Sequence, residues 1–84
     1  MQKSQRELAL LKKEALGGNK DAAWTVFLHY ELGLRRREAA WPWVTLATTL
    51  DNPSAKKYLE ELKIAQPSTY KQYLKTKRLP TASD

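Results

Sequence analysis

The sequence predicts an all-α domain of about five short antiparallel helices stacked as α-hairpins, on three observations. Apolar residues recur at intervals of three and four along most of the 84 residues. That is the period of a helix face, and over no useful length do they alternate as a half-buried strand requires. Stop and start signals at Gly17-Gly18, Gly33, Asn52-Pro53 and Pro67 cut the pattern into segments. The connections left over are about two to five residues long, which turns each helix back along the one before it.

The first segment has a capping box in Ser4 and Glu7 and an apolar stripe of Leu8, Leu11, Ala15 and Leu16, giving a helix over about 5–16 that Gly17-Gly18 stops. Asn19 can cap a second helix, with Asp21 in its first turn and Ala22, Ala23, Val26, Phe27 and Tyr30 on its face. It runs to Leu32, where Gly33 serves as the stop. A third helix either begins near Ala39 with Pro42 in its first turn or kinks at Pro42, because a proline ring meets the carbonyl four residues earlier. It ends near Leu50. Asn52 followed by Pro53 starts the fourth, with Ala55, Tyr58, Leu59 and Leu62 as its buried stripe. Pro67 starts the fifth, carried by Tyr70, Tyr73 and Leu74 to about Lys77. Leu79-Pro80 ends the single domain, residues 1–80, and 81–84 are expected to be a disordered tail.

Spacing between the first three segments carries more. From Ala15 the chain reads A-x-x-G-x-x-x-A-x-x-x-V-x-x-x-Y-x-x-G through Gly18, Ala22, Val26, Tyr30 and Gly33, then A-x-x-W-x-x-x-A at Ala40, Trp43 and Ala47. Small residues at Ala15, Gly18, Ala22, Ala40 and Ala47 are expected to let helix backbones approach, while Val26, Tyr30 and Trp43 fill the space between them. Over roughly residues 15–60 this pattern resembles the Sel-one-like repeat, a relative of the tetratricopeptide repeat. A second unit starts at Ala55 and Leu59 and then decays, with Lys63 at the aromatic position. The resemblance implies one complete helix-turn-helix unit between two degenerate halves, and a surface for binding another protein.

The chain carries no Cys, which excludes disulfides and thiolate metal sites. It has no apolar run of about 18 residues, so no membrane span is expected, and Met1 to Arg6 is polar; a cytoplasmic protein is expected. The formal net charge is +6. It concentrates in the run Arg35-Arg36-Arg37 and in Lys56, Lys57, Lys63, Lys71, Lys75, Lys77 and Arg78. Such patches attract either an acidic protein surface or a nucleic acid backbone.

Catalytic chemistry has little to stand on. The single histidine, His29, lies roughly 100° round the helix from Tyr30, at the boundary of the core. Glu60 and Glu61 are helix neighbours that face apart, and no nucleophile elbow, P-loop, zinc spacing or dinucleotide fingerprint is present. No catalytic residue, metal or cofactor is expected. Trp43 falls on a core position, whereas Trp24 leaves the main stripe to face either the first helix or solvent, and Trp41 is equally open. An exposed Trp would serve as a binding anchor.

The expected function is a small non-enzymatic interaction module, an adaptor, inhibitor or immunity-type binder of a specific acidic protein. Trp24, Arg35, Arg36, Arg37, Trp41, Tyr70, Lys71 and Lys75 are its expected contact residues. The alternative is a basic nucleic-acid-binding protein, using the arginine run or the aromatic and basic fifth helix, Tyr70-Lys71-Gln72-Tyr73-Leu74-Lys75. Against it, the segment after Arg37 reads Ala39, Ala40, Trp41, Pro42, Trp43, Val44, where a base-reading helix would need polar side chains.

Overall fold

Five α-helices follow one another in the structure, a computed structural model that describes residues 5–84. They are α1 (Gln5–Leu16), α2 (Lys20–Leu28), α3 (Arg37–Thr49), α4 (Pro53–Ala65) and α5 (Pro67–Thr76), with no strand among the described residues. A π-helical turn, His29–Gly33, continues α2. The expected capping box rests on Ser4, outside the described residues.

Local chemistry sets most boundaries. At the end of α1 the Asn19 N–H donates to the Glu14 carbonyl at 3.0 Å and the Gly18 N–H to the Ala15 carbonyl at 3.0 Å, the paired closure of a left-handed helix stop. Gly18 carries the required positive φ of 109°. It therefore shapes a turn, and is exposed, rather than serving the close helix approach expected of it. The Asn19 side chain then accepts from the N–H groups of Asp21 and Ala22 and opens α2. The end of α3 repeats the closure with Asp51 in the glycine's place, at φ 67°. The Asn52 side chain caps α4 by accepting from the Ala55 N–H at 3.0 Å, with Pro53 at the first helical position.

Two boundaries differ from expectation. Helix α3 begins at Arg37, so Pro42 lies inside it, in the second turn, and supplies no N–H to the Glu38 carbonyl. Gly33 does not provide the left-handed stop of the second helix. The chain instead widens into the π turn, where the Leu34 N–H reaches the His29 carbonyl at 3.1 Å, and Arg35 takes the positive φ, 53°.

Helix α2 packs on α1 and α3, α3 packs also on α4 and on the π turn, and α4 on α5. Arg37, at the start of α3, meets Glu31 beyond the end of α2, while Asn52, just past α3, meets Lys20 at the start of α2. Those two helices are therefore antiparallel. Helix α4 runs in the direction of α2, since Asn52 lies by Lys20 and Tyr58 by Glu31. Alanines at 15, 22, 23, 40, 47 and 55 are buried and let the backbones close up around Val26, Phe27, Tyr30, Trp41, Trp43, Val44 and Tyr73. Two polar joints sit in this core. Thr45 Oγ1 donates to the Trp41 carbonyl at 3.0 Å and accepts from the Tyr73 hydroxyl at 2.6 Å, fixing α5 to α3. Asn52, 3% exposed, donates Nδ2 to the Lys20 carbonyl and to Asp21 Oδ1, both at 3.3 Å, fixing α4 to α2.

The last residues make contacts with the body of the fold. Pro80 is buried, and the Asp84 carboxylate accepts from both terminal nitrogens of Arg78 at 2.8 and 2.7 Å and from the Thr81 N–H at 2.7 Å. The main-chain oxygen of Asp84 accepts from Lys12 Nζ at 2.6 Å and from the Tyr30 hydroxyl at 3.2 Å. Polar contacts, not an apolar stripe, hold this segment against α1. The radius of gyration, 12.0 Å, equals the value of about 12 Å for a close-packed chain of this length, so the helices close on one another rather than extending as an open array.

Candidate functional site

Helix α2 has two apolar faces. One, Ala22, Ala23, Val26 and Tyr30, enters the core; the other, Trp24, Leu28 and Leu32, recurs every fourth residue and lies along the α4 side. Between this second face and Ser54, Lys57, Tyr58 and Glu61 of α4 is an open cleft of about 370 Å³, lined also by Phe27 and Glu31. Aromatic contacts build its floor. Trp24 stacks on Phe27 with ring centroids 4.9 Å apart, and Tyr58 meets Phe27 edge-on at 4.8 Å.

At the π turn the cleft adjoins a second hollow, lined by Glu31, Leu32, Arg35 and Arg37. Leu32 borders both and is 70% exposed. Glu31 is the half-buried carboxylate here. It accepts from Arg37 Nε through Oε1 and from the Tyr58 hydroxyl through Oε2, both at 3.4 Å. Burial, with the Glu31 carboxylate beside it, pushes the Tyr58 phenol up to about 12. It stays protonated and remains a donor. Arg35 and Arg36 are exposed and form no ion pair among the described residues, so their charge is available.

The expected contact residues separate into three groups. Trp24, Arg35 and Arg37 are brought together round the cleft, with Arg36 adjacent in the chain. Trp41 belongs to the core rather than to the cleft: it is 5% exposed and meets Tyr73 edge-on at 5.7 Å. On α5, Tyr70 is half-buried against the core, Lys71 and Lys75 are exposed, and none of the three lines the cleft. Sequence reasoning missed Leu28 and Leu32 as cleft residues and placed Tyr58 in a buried stripe, although the four-residue spacing from Trp24 marks the face they share. His29 stands half-buried, edge-on to Tyr30 at 5.6 Å. Among the described residues no group of three or more His, Asp or Glu side chains is placed to hold a metal ion, and no helix is long and apolar enough to cross a membrane.

The chain matches no protein family, no curated protein and no solved structure.

Proposed function

We propose that the protein is a small interaction module of the Sel-one-like kind, without enzymatic activity, that works in the cytoplasm by binding one specific protein with an acidic surface. One observation carries this reading: an apolar cleft with an exposed leucine at its rim adjoins a hollow lined by Arg35, which no carboxylate among the described residues neutralises. Exposed apolar and aromatic side chains rimmed by charge are how soluble proteins mark a partner site. At about 370 Å³ the cleft is near the lower end of the range for small-molecule pockets, and it is open, which suits side-chain anchors of a protein better than an engulfed ligand. A nucleic-acid role has weaker support, because the aromatic rings of the cleft are packed on one another and the exposed lysines of α5 have only a half-buried Tyr70 beside them.

The test is association in nuclease-treated extract of the native cell, with Arg35 and Arg36 reversed to Glu and Arg37 left in its pair with Glu31. A specific protein should remain bound by the parent and be lost from the double variant, chiefly through slower association, with the helical spectrum unchanged. Nucleic acid should bind only weakly, with affinity falling steeply as salt rises and no sequence preference. A complex with one defined DNA or RNA sequence that survives physiological salt overturns the reading.

A further inference from the structure

Resting on the interaction-module reading, we infer that the α2–α4 cleft receives an acidic amphipathic helix of its partner, with large apolar side chains seated between Trp24, Leu28, Leu32 and Tyr58 and a carboxylate on Arg35. The shape of the cleft argues for a helix. Its α2 wall runs from Trp24 to Leu32, about 12 Å at the rise of a helix, or roughly two turns. A ligand helix presents anchors at i, i+3 or i+4, and i+7 over the same length.

Charge argues for its acidity. Glu31 is already engaged by Arg37 and Tyr58. Of the other charged groups along the cleft, Lys57 and Glu61 stand one turn apart on α4 and offset each other, which leaves Arg35 as the surplus. Backbone geometry agrees. Arg35 holds a φ of 53°, a conformation that disfavours a non-glycine side chain, and it does so beside the one rim leucine that borders both hollows. A second copy of the chain is a poor occupant, since each copy carries a net charge of +6.

A displayed library of random peptides about 16 residues long, enough for four helical turns, selected on the full chain, tests this. Selected peptides should carry apolar residues at helical spacing and an excess of Asp and Glu. Synthesised, they should shift the indole N–H resonance of Trp24 saturably, and they should bind at least tenfold more weakly to Leu32→Asp and to the Arg35→Glu, Arg36→Glu pair. Leu32 is exposed, so its variant keeps the fold; Trp24→Ala is a second variant, read only if its helical spectrum and melting match the parent. No selectable peptide, selected peptides without acidic excess, or binding that Leu32→Asp leaves intact each overturns the inference. Binding that maps instead to Tyr70, Lys71 and Lys75 overturns the cleft while the interaction-module reading stands. Specific nucleic acid binding removes that reading itself.

Discussion

Trp43 is the largest fully buried side chain, in a core where six alanines line the helix contacts. Those small neighbours have no flexible atoms with which to fill a void. Trp43→Ala should therefore cost on the order of 3 kcal/mol in chemical denaturation, whereas Trp43→Phe keeps most of the volume and removes an indole N–H that has no hydrogen-bond partner among the described residues. The phenylalanine variant should lose less than half as much; equal losses would assign the indole N–H a bond that matters. Tyr58 gives the pH dependence. Its folded value of about 12 lies above the ordinary value of about 10 for an unfolded tyrosine. A raised value favours the protonated fold, so the contribution is complete below pH of about 10 and is lost as pH rises from about 10 to about 12. Phenolate absorbance should show a late component that Tyr58→Phe deletes and Glu31→Gln moves to lower pH. A midpoint that Glu31→Gln leaves in place would make burial the whole cause.

Helix ends separate what the sequence reveals from what it conceals. Caps at Asn19 and Asn52 and prolines at 53 and 67 were legible because their chemistry is local: a side-chain oxygen reaches an N–H two or three residues on, or a ring presets φ. Left-handed residues were half legible. Gly18 reads equally well as a small packing residue, and nothing in the identity of Arg35 or Asp51 announces a positive φ. The π turn is silent too, since its extra residue leaves the spacing of Trp24, Leu28 and Leu32 undisturbed. The two adjacent glycines test the distinction. A methyl at Gly17 would meet the Glu14 and Lys13 carbonyls at 3.4 and 3.5 Å, ordinary contact, so Gly17→Ala should stabilise by about 0.5 kcal/mol through a less flexible unfolded chain. Gly18 has open space around it, yet its φ of 109° makes Gly18→Ala cost about 1 kcal/mol. Arg35→Gly should gain a similar amount for the mirror reason. Thermal melts of the three variants decide, and a tolerated Gly18→Ala would mean the closure of α1 can be made another way.

For the whole molecule, the all-α class was legible because five separate apolar stripes each demand a helical partner. The cleft was not, because its walls are α2 and α4, which α3 separates in the chain; only Trp24 and the arginines of the site could be named in advance. The docking of residues 81–84 was also hidden, since a polar segment held by Arg78, Lys12 and Tyr30 leaves no periodic trace. What the sequence does state about the whole is its charge, 15 basic residues against 9 acidic, and the described residues form only three ion pairs. Like charges must therefore repel across a body 35 Å in its longest dimension. At 0.01 M salt the screening length is about 30 Å, so nearly every basic side chain feels the others; at 0.15 M it is about 8 Å, and only neighbours do. Melting temperature should accordingly rise between those salt concentrations and then level off. Arg36→Glu, which removes an exposed unpaired cation and adds an anion, should raise the low-salt value and flatten the dependence. A melting temperature that falls as salt is added would instead give the three ion pairs, screened by the same salt, the larger share of the electrostatics.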